Sequence, residues 1–344
     1  MKLNHLSKLF FLSGIVLFCS LNASSQTISG ADIKQLEKKE DSLKRYSKAM
    51  VFSESPADRF RSDSNFVRTL VRALKVKNSF YYPFDSVAIS KLYSPDSAFR
   101  IFTWQLQKDE YVYLQKGAIQ MRTPDGSLKL FPLYDVSMFT KNPADSIRSK
   151  ENWVGAIYYR IVQKDYNNKK YYTLLGFDDF SVASNKKWMD VLTFNDKGEP
   201  VFGGPISYTD SSKKAKVMPR FSIEYKKEAK TFFNYDPELD MIVFDHLISE
   251  SDEPERKETY IPDGDFEGFK WQNGQWVHVD KVFNFQLKEG AFPMDEKLLD
   301  DSGAPDQERL NRASEKNIDK DKQKPPVKTD PKKPTTPKKK TGGG

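Results

Sequence analysis

Apolar side chains recur at helical spacing over residues 31–50, where Ile33, Leu36, Leu43, Tyr46 and Met50 are separated by lysine and glutamate. A second helix is predicted to start at Ser55-Pro56-Ala57-Asp58, a capping residue followed by proline in the first turn. Phe60, Phe66, Val67, Leu70, Val71 and Leu74 would form its buried stripe. This second helix is the more apolar and is expected to dock on the β-rich region C-terminal to it. The first, more highly charged, is expected to lie loosely on the surface. Residues 26–88 thus read as an N-terminal helical segment.

After Pro83 the period shortens. Residues 98–106 (AFRIFTWQL) and 111–123 (YVYLQKGAIQMRT) are aromatic and β-branched runs, and Pro124-Asp125-Gly126 turns the chain into 128–134. Residues 153–163 and 171–177 flank Asn167-Asn168, and 191–194 and 200–202 flank Asp196-Lys197-Gly198. Residues 220–226, 231–235 and 241–248 read as a three-strand meander. Asn273-Gly274 suits a two-residue hairpin turn, because both positions tolerate positive φ. Its register sets Trp271 opposite Trp276, with Phe269, Trp271, Trp276 and His278 on one side, expected to be buried. Short strands joined by local turns imply antiparallel pairing. The fold class expected is α+β: two N-terminal helices, an antiparallel β domain over 89–294, and a disordered basic C-terminal tail.

The two ends differ from this body. Residues 1–25 read as a signal peptide: Lys2 and Lys8 precede an apolar run of 11 residues from Leu9 to Cys19, and Ala23-Ser24-Ser25 offers a cleavage site before Gln26. A lipoprotein anchored at Cys19 is the weaker alternative, since bulky Phe18 stands where that route needs a small residue. Residues 295–312 form a linker with room for a short helix from Ser302 to Arg312. Residues 313–344 carry ten lysines against Glu315, Asp319, Asp321 and Asp330, and are too polar to bury a core. The net charge of +7 therefore belongs to the ends, and the body is close to neutral. That excludes a globular nucleic-acid surface. The tail lysines Lys332, Lys333, Lys338, Lys339 and Lys340 are the binding residues expected, as a loose counterion cloud for anionic envelope lipid or polysaccharide.

Chemistry beyond charge is sparse. Cys19 is the only cysteine, so the exported body has no disulfide, no thiol nucleophile and no cysteine-based zinc site. His246 and His278 stand 32 residues apart without metal-binding spacing, and each reads as a core or edge histidine. No Walker, dinucleotide or nucleophile-elbow pattern occurs, so no cofactor is expected. Carboxylate chemistry stays open through Asp178 and Asp179 at a strand end, and through Asp236, Glu238 and Asp240 in a turn. Asp263, Asp265 and Glu267 alternate with glycines in a loose likeness of a calcium loop that lacks its distal acid. A turn leading into the tryptophan hairpin explains them better.

Residues 235–247 (YDPELDMIVFDHL), 260–271 (YIPDGDFEGFKW) and 177–194 (FDDFSVASNKKWMDVLTF) resemble stretches of uncharacterised secreted or periplasmic β-rich proteins of Bacteroidota. The resemblance covers roughly residues 90–285 and has no assigned activity to transfer. It implies an exported, envelope-associated setting, and periplasmic retention over surface display. The reading reached is an exported, non-catalytic binding or scaffold protein of the bacterial cell envelope, with an envelope protein complex as a further partner. The alternative is a carboxylate-based hydrolase acting on a glycan.

Overall fold

Both predicted helices form, α1 over Gly30–Phe52 and α2 over Pro56–Leu74. Ser55 caps α2 as expected, its side chain accepting the Asp58 N–H, and Ser29 caps α1 by accepting the Asp32 N–H. The structure is a computed structural model and describes residues 27–209 and 214–283. The expected signal peptide and linker, Cys19 and the tail lysines all lie outside the described residues. Among those described, no helix is long and apolar enough to cross a membrane.

Two expectations for the helices need correction. α1 is not loose, because Leu36, Leu43 and Met50 are buried in one cluster with Phe66, Leu70 and Leu74 of α2. Its Glu40 carboxylate also accepts Tyr82 Oη (2.5 Å), the Ser86 N–H (2.8 Å) and Ser86 Oγ (2.9 Å). On α2, Phe60 and Val67 are exposed, while Arg59 and Asp63 are buried. The helix is rotated toward its polar positions because those side chains find partners. Arg59 donates to the carbonyls of Gln107 (2.9 Å) and Ser53 (2.9 Å), and Asp63 accepts the Trp104 indole N–H (2.9 Å). A stripe chosen by hydropathy alone misses this offset.

The strands build three sheets. The first is β1 (Ser90–Tyr93), β2 (Phe99–Gln107), β3 (Tyr113–Met121) and β4 (Lys129–Leu133), in sequence order. The second contains β5 (Arg148–Ser149), β6 (Ile157–Tyr166), β7 (Lys169–Asp178), β8 (Ser184–Phe194) and β9 (Pro200–Phe202), in the order β5-β9-β8-β7-β6. The chain then enters a third sheet with β10 (Ile206–Thr209) and β11 (Ala215–Met218), and returns to pair β12 (Phe221–Lys226) with β8. The third sheet is completed by β13 (Phe233–Asp236), β14 (Met241–Ser249), β15 (Tyr260–Gln272) and β16 (Gln275–Val279). Its order is β11-β10-β16-β15-β14-β13, antiparallel except for β10 beside β16.

Helices and sheets stack as four layers, and the alternation within single strands shows how. On β2, Phe102, Trp104 and Leu106 face the helices, while Phe99 and Ile101 join a core with the second sheet. On β8, Trp188 and Leu192 face the first sheet, and Met189 and Val191 face the third. A strand buried on both sides reads as a continuous apolar run, which is the texture of residues 98–106. The third sheet closes the stack with Phe233, Ile242, Phe244, Phe269 and Trp276. The Trp276 indole N–H reaches across to Thr173 Oγ1 at 2.8 Å.

The hairpins follow their turn residues. Asn167 and Asn168 have φ of 48° and 60°, and Asn273 and Gly274 have 48° and 83°, so both turns are of the primed kind that matches strand twist. Trp271 pairs with Trp276 as expected, Phe269 and Trp276 are fully buried, and Trp271 is partly so. The three-strand meander is wrong at its first member. β13 pairs with β14, but β12 lies against Ser184–Met189 of β8, on the edge that short β9 leaves open. Alternation marks β12 as a strand without saying whose edge it completes. Residues 262–268 are also not a turn but part of β15, with a register shift between Asp245 and Leu247 on β14.

The middle sheet holds a buried ion pair. Arg220 Nη2 lies 2.8 Å from Asp190 Oδ2, with both side chains 0% exposed. Tyr158 Oη donates to Asp190 (3.2 Å), and Arg220 donates to the Val154 carbonyl (2.8 Å) while its guanidinium stacks over Trp188. Removing one partner strands a charge where no water reaches it. Asp190→Ala is therefore expected to cost about 3–5 kcal/mol in urea denaturation, and Asp190→Leu combined with Arg220→Met to recover most of that loss.

Candidate functional site

Of the carboxylates open to chemistry, Asp178 ends β7, Asp179 follows it, and the two part company. Asp178 is buried and accepts Gln115 Nε2 at 2.7 Å. Burial pushes its carboxyl up to about 6, against the pull of Lys186. Asp179 instead lines a cavity of about 460 Å³ between the end of α1 and the first two sheets, with Met50, Trp104, Gln105, Tyr113 and Ile157 on its wall. Its carboxylate is paired with the Lys227 ammonium. The two acids thus differ in environment, and only one of them faces the cavity.

The second group stays in its turn. Asp236 accepts the N–H groups of Glu238 (2.8 Å) and Leu239 (3.1 Å), and Asp240 holds the Lys164 ammonium and Tyr235 Oη (2.5 Å). Asp240 has φ of 51°, a left-handed position that suits a short polar residue. These acids shape the β13–β14 connection.

The two histidines, by contrast, converge. His246 lies at the β14–β15 register shift, opposite residues 263–265 of β15, and is partly exposed. Its Nδ1 lies 2.8 Å from Asp263 Oδ2 and its Nε2 3.7 Å from Glu267 Oε1. His278 Nε2 lies 2.6 Å from the other oxygen of Glu267, with a side chain only 1% exposed. One carboxylate therefore lies between two imidazoles on strands β14 and β16. His278 Nδ1 has no partner among the described residues, and its ring packs 4.4 Å from Tyr208.

Asp263, Asp265 and Glu267 do not point at a common centre. Gly264, at φ 97°, breaks the alternation, and the three engage His246, Lys281 (3.2 Å) and His278 respectively. Burial raises the Asp263 carboxyl, but the Asp265 N–H and the His246 imidazole outweigh it and leave it below the usual range. Among the described residues no group of three or more histidine, cysteine or acidic side chains is arranged to hold a metal ion.

Glu267 also lines a second cavity, of about 340 Å³, between β12 and the inner face of the third sheet. Tyr208, Phe221 and Phe244 line it with two further acids. Glu224 accepts Ser184 Oγ (2.6 Å) and pairs with Lys186 (3.2 Å). Asp245 accepts the Phe232 N–H (2.5 Å), and burial raises its carboxyl above the usual range. The sequence signal for this site was within reach. The Asn273-Gly274 register puts His278 opposite Phe269, and Glu267 lies two residues before Phe269 on the same side. A turn over residues 262–268 would end that alternation before Glu267, whereas the strand runs through it.

No protein-family model matches the chain, and neither a curated protein nor a solved structure does.

Asp178 makes stability depend on pH in a stated direction. Its carboxyl ionises near 3.8 in the open chain and at about 6 when folded. The stability it contributes is complete below the lower value and is lost as pH rises through the upper one. Asp178→Asn is expected to abolish that slope and to raise unfolding free energy at pH 8 by roughly 1–3 kcal/mol. Gln115 Oε1, which has no partner, can turn to receive the new amide. Urea denaturation of both proteins across this range measures it.

Proposed function

We infer that the protein is an exported, non-catalytic binding or scaffold protein of the bacterial cell envelope. One observation carries the choice of binding over catalysis: each acid on the two cavity walls already has a fixed partner. Asp179 is paired with Lys227, Glu224 with Lys186 and Glu267 with His278, while Asp245 accepts a backbone N–H. Hydrolysis by paired carboxylates needs one acid free to give a proton and another free to activate water or attack across the same bond. Groups held in place by neighbours suit a wall that orients a ligand. Export is supported by the leader at residues 1–25, and attachment to anionic lipid or polysaccharide by Lys332, Lys333, Lys338, Lys339 and Lys340.

The hydrolase alternative draws on the Asp178 carboxyl, poised at about 6 beside Asp179. The two readings separate in one set of measurements on the full chain. The periplasmic fraction is expected to contain a form beginning at Gln26, as read by mass spectrometry of the N-terminus; retention with an intact leader would overturn export. Purified protein is expected to capture envelope polysaccharide or lipid in a salt-sensitive way without releasing reducing ends. Glycan cleavage that disappears in Asp179→Asn would replace the binding reading with the enzymatic one.

A further inference from the structure

A third concavity lies on the helices, away from both cavities and independent of what they hold. It is a groove of about 490 Å³ between α1 and α2, and Lys38, Lys39, Ser42, Tyr46, Thr69 and Arg72 are on its walls. Its origin is the helical repeat. Residues 38, 39, 42 and 46 fall on one stripe of α1, and 69 and 72 on the facing stripe of α2, beside the apolar seam of Leu36, Leu43, Phe66 and Leu70.

The charge on this groove is of one sign. Three cations face it from both helices and no acid lines it. None of the three is ion-paired with another described residue, whereas Lys186 and Lys227 are paired with the cavity acids Glu224 and Asp179. The Ser42, Tyr46 and Thr69 side chains are half-buried, and their hydroxyls make no hydrogen bond to any described residue. Arg72 stands in the last turn of α2, where a cation suits the helix dipole, but that accounts for one charge of the three. Lys38, Lys39 and Arg72 thus leave a positive field over the groove that a bound anion would relieve.

We propose that the α1–α2 groove is a binding site for a small phosphorylated, hydroxyl-rich ligand of the sugar-phosphate class. The Arg72 guanidinium offers the fork that grips two phosphate oxygens, and Lys38 and Lys39 supply the compensating charge. The free hydroxyls of Ser42, Tyr46 and Thr69 match a polyol that both gives and accepts hydrogen bonds. The volume is that of a site for one small ligand and not of a polymer track. Concave walls with half-buried hydroxyls also favour a soluble ligand over a flat lipid surface.

The test is calorimetric titration of the full chain with a hexose phosphate, the parent hexose, inorganic phosphate and phosphatidylglycerol vesicles. Saturable one-to-one binding of the hexose phosphate is expected, tighter than either fragment and weakened by salt. Arg72→Gln and Lys39→Gln should each weaken it about tenfold, and both are surface changes that leave the fold intact by circular dichroism. Replacing Lys332, Lys333, Lys338, Lys339 and Lys340 with glutamine should leave it unchanged. The proposal is overturned if binding survives Arg72→Gln and Lys39→Gln, if it is lost with the tail lysines, or if vesicles bind and the hexose phosphate does not. Inorganic phosphate binding as tightly as the hexose phosphate would overturn the polyol part.

Discussion

The fold depends on a sheet that must bury both of its faces, and the Arg220–Asp190 pair is what orients that sheet. Asp190 sits on β8 between Met189 and Val191, which face the third sheet, and its carboxylate meets Arg220 just before β12 begins. Trp153 donates to Tyr158 Oη (3.1 Å), and Tyr158 donates to Asp190, so the entry to β6 is tied to the same point. Apolar faces attract without direction and tolerate slippage by two residues. A buried charge with fixed partners does not tolerate it, because any shift leaves the charge alone in a low-dielectric interior. Arg100 plays the matching part in the first sheet. It donates to the carbonyls of Tyr82 (2.6 Å) and Ser79 (2.8 Å), to Gln120 Oε1 (2.8 Å) and to Tyr93 Oη (2.8 Å), and burial draws it down to about 10.

These two arginines explain why much of the architecture could be read from sequence and why some could not. Helices with Ser caps, turns with Asn-Gly or Asn-Asn, and strands with period-two alternation are local properties, and each formed where residue type dictates. The failures share a cause. β12 went to β8 and not to β13, Arg59 and Asp63 turned inward in place of Phe60 and Val67, and residues 262–268 continued as strand. In each case a polar side chain or an open strand edge found a partner far along the chain. Hydropathy treats a charge as a mark of the surface, and it cannot register the partner that makes burial tolerable.

The site shows the same limit from the other side. His246 and His278 are 32 residues apart in sequence, a separation that says nothing of two imidazoles on one carboxylate. The adjacency comes from β14, β15 and β16 lying side by side and from the register shift at which residues 263–265 of β15 stand opposite the single residue His246 of β14. Half of it was accessible: the hairpin register alone makes Glu267 and His278 diagonal neighbours. The other half was not, because the irregularity in β15 that sets Asp263 beside His246 leaves no trace in composition or period.

A body that is nearly neutral in sum can still be sharply divided in space, and that division bears on what it can recognise. On the cavity walls Asp179 and Glu224 are paired with Lys227 and Lys186, so these charges largely cancel within a few ångströms and act through shape and directed hydrogen bonds. On the α1–α2 groove the cations are unspent, and their field extends into solvent for about a Debye length, near 8 Å at physiological salt. The first kind of surface selects after contact and the second brings a partner to contact. Overall basicity would attract any polyanion without preference. A neutral body with a local unpaired patch draws anions to that patch, and the concavity selects among those that arrive. The charge that matters for recognition is therefore the local remainder after internal pairing, a quantity that the net charge of +7 conceals.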